Sequence, residues 1–405
     1  MATYLPDVDG LPAWDVIEEL GVGLAARYAG AEDELIKAIA VRAYRDLELQ
    51  EIIRTTTMDA ELSAMFTSAV ARNRALAELQ AHRATTLREL QARAVLIVEK
   101  LRTVEAAEEV ITTAWKEGEA AAAARLGAAS RLPQTSVLTG VDSQAATMLS
   151  LDLSSRLEMM EQRIVRFPQD AYQSIISFTA SNTILGASTN LQAQQLAVQR
   201  FLAEGVRGFV DKGGRNWKIG SYSEMAGRTA VNRAFNDAGV YRMQQSGLNL
   251  ITPVAAADCC AECSRYRGQI LSTDGRTGTV VVQHATLPEQ ITIQIFATLD
   301  QAKRNGLGHP NDRCQYVAYS PGLSIPQAGT EFDPDAAAAR VRQRALEVQI
   351  RSAKRQLAVA RGPEQTKRAT ARVRQRQAAM RDHIEATDRP RRSYREQLSF
   401  ADGRS

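Results

Sequence analysis

The chain has 405 residues, of which 44% are apolar, 24% charged and only 5% aromatic. That length exceeds one small core and sets an expectation of roughly two to four domains, while so few aromatics suit long helices rich in Ala, Gln, Arg and Glu. The net charge of +4 conceals an asymmetry: residues 336–405 hold 18 Lys or Arg against 7 Asp or Glu, so the tail carries +11 and the preceding 335 residues carry −7.

Several function classes drop out at once. The longest aliphatic run, Ala94 to Val98, is far below the roughly 20 residues a bilayer crossing needs, and the amino terminus carries Asp7 and Asp9 with no basic start before an apolar run. A soluble, unsecreted protein without membrane contact is expected. Four cysteines in so long a chain do not make a disulfide framework, and a reducing compartment follows. There is no Walker A motif, no Rossmann glycine fingerprint and no GxSxG elbow, so a nucleotide-driven motor or a serine hydrolase has no foothold.

In chain order, residues 1–57 predict an irregular start and two helices, Trp14 to Leu24 and Glu32 to Ile53, ending near Thr55, Thr56 and Thr57. Residues 58–131 predict a long helical arm, one helix from about Asp59 to Arg125 and roughly 100 Å long at 1.5 Å per residue. Its seam, Leu87, Leu90, Ala94, Ile97, Leu101 and Val104, steps by 3 and 4 and serves either an intramolecular bundle or docking on another subunit. After the break at Gly127, Pro133, Gly140 and Ser143, residues 132–214 predict helices over Ser143 to Arg163, Gln169 to Ser181 and Asn190 to Glu204. Asp211-Lys212-Gly213-Gly214-Arg215-Asn216 reads as a domain boundary.

Residues 215–325 predict a small α+β module. Ser221 and Glu224 have capping-box spacing, and the helix they open should run to Gly247 with a bend at Gly239. Leu248 to Val254 reads as a buried strand. Ile291, Ile293 and Ile295 alternate with polar residues as a half-buried strand paired with Val280, Val281 and Val282, and this pair is expected to pack on the Ser221 helix. The fold class is therefore mainly α with long helices, plus a small central α+β module carrying a Cys/His cluster.

That cluster is Cys260-Ala261-Glu262-Cys263 and His309-Pro310-Asn311-Asp312-Arg313-Cys314, with Cys259 alongside. A CxxC turn presents two thiols on one side of a loop, and His309 with Cys314 would complete a tetrahedral zinc site. Structural zinc at Cys260, Cys263, His309 and Cys314 is one reading; buried thiols beside a structural histidine, or a disulfide, are the others. Residues 326–405 predict a basic helical tail with a seam of Leu346, Ile350, Ala353 and Leu357, a break at Gly362-Pro363, and a continuation through Val373, Met380 and Ile384. Arg351, Lys354, Arg355, Lys367, Arg368, Arg372, Arg374 and Arg376 are its candidate DNA contacts, able to neutralise phosphates without reading bases. A solvated or protein-binding face is the alternative.

Trp217, the run Tyr222-Ser223-Glu224-Met225-Ala226-Gly227-Arg228-Thr229, the Gly247 exit, Asp258 before the CxxC, Gly268, and His309-Pro310-Asn311 before Arg313-Cys314 resemble the head-morphogenesis domain of tailed-phage minor capsid proteins, the Mu F-like group. That family's closing motif reads His-Pro-Asn-Cys-Arg-Cys; here Asp312 stands where the first of those cysteines would be, and Cys314 matches the second. The resemblance covers about residues 215–325. It implies a structural virion protein of the capsid interior, associated with the phage portal and other head proteins in a larger assembly, acting in head assembly, DNA packaging or delivery, with no established catalytic mechanism. A zinc-dependent hydrolase or nuclease, with Glu262 or Asp312 as base, and a DNA-binding accessory protein are the rival readings.

Overall fold

A computed structural model of the chain describes residues 13–59, 65–102, 104–129, 144–184, 191–203, 207–210, 214, 216–255, 258–324 and 332–398. The first five helices are α1 (Ala13–Asp59), α2 (Met65–Leu101), α3 (Val104–Ala129), α4 (Gln144–Ile184) and α5 (Leu191–Ala203). Strands β1 (Arg207–Val210) and β2 (Asn216–Lys218) pair antiparallel ahead of α6 (Ile219–Gln245), β3 (Leu250–Val254) and the single turn α7 (Ala261–Ser264). Then come β4 (Leu271–Ser272), β5 (Gly278–Gln283), β6 (Gln290–Ile295), β7 (Ala297–Thr298), α8 (Leu299–Arg304), β8 (Gln315–Ala318), α9 (Pro334–Ala358) and α10 (Gly362–Thr387).

These elements form two compact units, each assembled from separated stretches of chain. The first takes Met1–Ala25, Thr103–Arg156 and Ser223–Arg344; the second takes Ala26–Arg102, Leu157–Tyr222 and Ala345–Ser405.

Three helices run through residues that read as breaks. Helix α1 continues through Gly30 and the rest of the gap expected between Leu24 and Glu32, making one helix where two were expected. A Cβ on Gly21 would stand 2.9 Å from the Arg228 Cα, and one on Gly227 would stand 3.2 Å from the Gly21 carbonyl oxygen, so α1 and α6 touch backbone to backbone. Helix α6 likewise passes Gly239 without interruption, facing α3 where a Cβ on Gly118 would lie 2.2 Å from the Phe235 carbonyl oxygen. Helix α4 contains Pro168, which forfeits one backbone hydrogen bond within it. Conversely, the single arm expected from Asp59 to Arg125 is two helices, α2 ending at Leu101 and α3 starting at Val104.

The seam of α2 is internal. Leu90, Ala94, Ile97 and Leu101 are all buried within the protein, each worth about 1.5–3 kcal/mol of apolar transfer for the large side chains. The bundle reading holds, and the docking reading is overturned for these four residues. The break expected at Pro133, Gly140 and Ser143 lies outside the described residues, as do Asp211, Lys212, Gly213 and Arg215 of the expected boundary.

In the first unit a four-stranded sheet, ordered β7-β4-β3-β8, separates two cores. Ile251, Leu271 and Tyr316 face Val240 and Met243 of α6 together with Cys259, Cys263 and Cys314. Leu250 and Tyr319 pack instead against Ile293 and Ile295 of the β5–β6 hairpin, backed by Val280, Val282 and Ile291. The hairpin was expected to pack on α6; it rests on the sheet instead, because alternation along β3 sends Leu250 and Ile251 to opposite faces. Ser221 also departs from expectation. It is the third residue of α6, and Glu224 is buried in ion pairs with Arg228 and Arg344, both at 2.6 Å, and makes no capping box. Gly247 does end the helix, with φ +76° and the Leu248 N–H returning to the Met243 carbonyl at 2.9 Å.

In the second unit Leu346 and Ile350 of α9 meet Met380 of α10, with Ala379 and Ile384 beside them, so the two tail seams bury each other across the turn at Gly362.

Candidate functional site

The CxxC turn follows β3 directly. Cys260 is the N-cap of α7, in extended conformation, and its sulfur accepts the Cys263 N–H at 3.3 Å. This single helical turn therefore points both sulfurs the same way.

The partner loop, between α8 and β8, is a type II turn. The Asp312 N–H donates to the His309 carbonyl at 2.9 Å, Pro310 presets the first central φ, and Asn311 takes the left-handed position at φ +66°, which asparagine tolerates better than most residues. One face of α6 pins this loop. The Asn311 N–H donates to Thr229 Oγ1 at 3.1 Å, Arg228 Nη1 donates to Asn311 Oδ1 at 3.4 Å, and Arg233 Nη2 donates to the Gly308 carbonyl at 3.3 Å. One turn on, Asn236 donates to the Cys314 carbonyl at 2.8 Å and accepts from the Tyr316 N–H at 3.1 Å.

Together the two loops bring Cys260, Cys263 and His309 close enough that their donor atoms all lie within 4.8 Å of one another. His309 Nε2 is 2.9 Å from Cys260 Sγ and 3.5 Å from Cys263 Sγ. On its other side His309 Nδ1 lies 2.8 Å from the Pro310 carbonyl, which places the ring proton on Nδ1 and leaves the Nε2 lone pair facing the sulfurs. Cys314 joins a second group, with Cys263 and Asp312, so the four residues singled out from sequence meet through Cys263. All four cysteines are free thiols. A cavity of about 30 Å³, lined by Cys259, Cys260, Cys263, His309, Asp312 and Cys314 among others, opens at their meeting point. That is room for a single ion or water. These side chains could hold a metal ion.

Asp312 is the organiser of the loop. It is 4% exposed; Oδ2 accepts the Gly308 N–H at 3.0 Å, and Oδ1 accepts the Cys314 N–H at 2.8 Å and the Cys263 thiol at 3.2 Å. Burial pushes the Cys260 thiol up to about 12, and the Cys314 hydrogen bond, burial and the Asp312 carboxylate push Cys263 up as well. Without a cation among them these thiols stay protonated.

The candidate DNA contacts divide into two sets. Arg355 is buried, with Nε 2.6 Å from Asp33 Oδ1 and Nη2 3.1 Å from Glu32 Oε2, and Arg351 is buried with Nη1 donating to the Arg395 carbonyl. Both are buried, where the sequence expectation had them on a solvent-facing surface. Lys354 donates to Gln397 at 2.7 Å. Lys367, Arg368, Arg372 and Arg374 are exposed and Arg376 half-buried on α10, and none of the five forms an ion pair among the described residues. No acidic residue falls between Gln365 and Arg381.

Residues 18–385 match the family model described as phage minor capsid protein 2. The chain belongs to that family. The match bears out the expected kinship with phage minor capsid proteins and extends it from residues 215–325 across nearly the whole chain, making this a structural protein of the phage head. No curated protein and no solved structure matches the chain. Among the described residues of this minor capsid protein, no helix is long and apolar enough to cross a membrane.

Sequence reasoning missed the face of α6 that holds the site. The available signal was polar Arg228, Asn232 and Asn236 recurring every four residues in a helix otherwise buried by Val231, Ala234 and Ala238. It also missed Asp312 as a structural acceptor, treating it as an absent cysteine or a candidate base.

Proposed function

We propose that this minor capsid protein sits inside the phage head in association with the portal, assists head assembly and DNA packaging or delivery, and touches packaged DNA through α10. The observation that supports the DNA contact is the acid-free basic face. Arg368, Arg372 and Arg376 recur every four residues over about 12 Å of helix, flanked by Lys367 and Arg374. Such a face neutralises phosphates without base readout, and the helix carries no Phe, Tyr or Trp on which single-stranded bases would stack.

The test is a salt titration of binding to duplexes of unrelated sequence. Five engaged phosphates give a slope of about −4.5 in log affinity against log salt, and Lys367→Gln with Arg368→Gln and Arg372→Gln reduces it to about −1.8. An unchanged slope in that triple variant overturns the assignment.

The Cys/His cluster is proposed as a structural zinc site with Cys260, Cys263 and His309 as ligands and Cys314 as the fourth. Zinc–sulfur bonds of about 2.3 Å and zinc–nitrogen bonds of about 2.0–2.1 Å set ligand separations near 3.5 Å in a tetrahedron, which the Cys263–His309 distance of 3.5 Å meets and the Cys260–His309 distance of 2.9 Å would meet after a small opening. A hydrolytic metal site would need a free base beside an open coordination position. The oxygens of Asp312 are already committed to Gly308, Cys314 and Cys263, and the Glu262 carboxylate engages the Cys260 thiol, so neither stands as a free base and the structural role is favoured over the hydrolase or nuclease reading.

A further inference from the structure

A cavity of about 610 Å³ lies in the second unit between α5, the end of α9 and the first turns of α10. Its charged lining is Arg361, Arg368 and Arg372 with the single carboxylate of Glu364. Glutamines at positions 195, 199, 356 and 365 supply uncharged amides. That volume lies in the range of small-molecule sites and takes one nucleotide, whereas a base-paired helix stays outside it. The cleft therefore offers a mode of contact that the open basic face of α10 does not.

The two ends of the cleft differ in chemistry. At one, Arg368 and Arg372 stand about 6 Å apart along the helix axis, both exposed and neither with an ion pair or hydrogen bond among the described residues. At the other, Arg361 is held in place. Its Nη1 donates to Glu48 Oε1 at 3.1 Å, its guanidinium carbon stands 5.1 Å from the centre of the Tyr44 ring, and its backbone N–H donates to Gln365 Oε1 at 3.2 Å. The Arg361 side chain stays 42% exposed, so a fixed guanidinium plane borders the cleft, and bases stack on such planes as they do on aromatic rings. The amide wall is also fixed. Gln365 Nε2 donates to Gln195 Oε1 at 3.3 Å and Gln199 Nε2 to the Gln356 carbonyl at 2.7 Å, which leaves Gln195 Nε2 as a donor and Gln199 Oε1 as an acceptor among the described residues.

We propose that this cleft binds one unpaired nucleotide, with its phosphate on Arg368 and Arg372 and its base on the Arg361 guanidinium beside the glutamine amides. The assignment rests on the reading of α10 as a phosphate contact and adds a ligand class to it: a nucleotide, free or at the unpaired end of a strand. Glu364 sets the orientation. Its exposed carboxylate, one turn from Arg361, repels a phosphate from that end and leaves it to the uncharged base. Amides carry donor and acceptor without charge, which suits the edge of a base. A bare phosphate would use only the Arg368–Arg372 end and leave the amide wall idle.

Fluorescence anisotropy on the full chain compares a blunt duplex with the same duplex carrying a short unpaired adenine tail, and titrates deoxyadenosine monophosphate separately. The tailed duplex should bind about tenfold tighter, the gain expected from stacking one base. Arg361→Lys keeps the charge and removes the plane, so it abolishes that preference while blunt-duplex affinity and its salt slope stay unchanged. Gln195→Leu, which removes the amide donor, weakens the preference as well. Binding of the monophosphate that Arg361→Lys weakens identifies the free nucleotide as a ligand; a tail preference that the monophosphate leaves undisturbed assigns the cleft to strand ends. No tail preference together with no binding of the monophosphate overturns the proposal, as does a preference that survives Arg361→Lys. Blunt-duplex binding retained in either case leaves the duplex reading of α10 standing, and loss of blunt-duplex binding with the tail preference intact removes that reading alone.

Discussion

Substituting alanine for Gly118 and for Gly30 should change stability in opposite directions, although both glycines lie inside long helices. At Gly30 nothing stands within 4 Å of the added Cβ. Gly30→Ala therefore collects the intrinsic helix preference, about 0.5–1 kcal/mol of stabilisation. At Gly118 the same methyl meets the Phe235 carbonyl oxygen at 2.2 Å, its carbon at 2.8 Å and its Cα at 2.9 Å, all backbone atoms that no rotamer change can withdraw. Ordinary contact requires at least about 3.4 Å, so α3 and α6 must part by roughly 1 Å, and the Trp115, Ala146 and Ala238 core beside the crossing loosens with them. Overpacking costs about 1–3 kcal/mol even where side chains can adjust. With backbone on both sides the upper end applies, leaving a net loss of about 2 kcal/mol after the propensity gain. Urea unfolding followed by far-ultraviolet circular dichroism reads both variants. If Gly118→Ala unfolds at the same urea concentration as the unsubstituted chain, the close crossing of α3 and α6 is wrong.

Three further outcomes follow from the geometry. Protein purified without chelator should carry close to one zinc per chain, and Cys260→Ser or His309→Ala should lose it; less than about 0.2 zinc per chain with stability unmoved by chelation removes the metal reading, since a structural site contributes on the order of 10 kcal/mol of apparent binding energy. Arg355→Met removes the guanidinium that pairs with the buried Glu32 and Asp33 carboxylates and should cost about 3–5 kcal/mol at pH 7. Burial already holds the Asp33 carboxyl above its usual range, and removing Arg355 raises it further, so the folded variant binds protons more tightly than the unfolded chain and regains stability as pH falls from 7 towards 5; a deficit that does not shrink on acidification contradicts this. Asn311→Ala should cost about 1 kcal/mol and Asn311→Gly less, read by thermal unfolding, because only the left-handed φ distinguishes the two.

The parts of the molecule legible in the sequence were those written in local periodicity. The alternation of Ile291, Ile293 and Ile295, the buried run into Val254, the stop at Gly247 and the paired tail seams all describe a residue's near neighbours. What stayed hidden depended on distant ones. Gly21 reads as a weakness in a helix until Gly227 is known to cross it, more than 200 residues later. Arg351 and Arg355 look identical to Arg368 and Arg372 in composition and spacing, and only the arrival of Glu32 and Asp33 at Arg355 and of the Arg395 carbonyl at Arg351 separates core from surface. The same holds in the candidate site. The CxxC turn was visible as two thiols on one turn, but the convergence of His309 with them rests on α6 gripping the His309–Asp312 loop through Arg228, Thr229 and Arg233. Asp312 shows the limit of motif reading, since a carboxylate in a cysteine's place became the acceptor that holds the loop together.

The measurement closest to the central claim is the protein's place in purified virions of the phage that encodes it. DNA-filled heads treated with external protease should retain this chain intact at a few copies each, and particles opened to release DNA should expose it or lose it. Absence of the chain from DNA-filled heads, or its complete digestion while the capsid is closed, would contradict a structural role in the head interior.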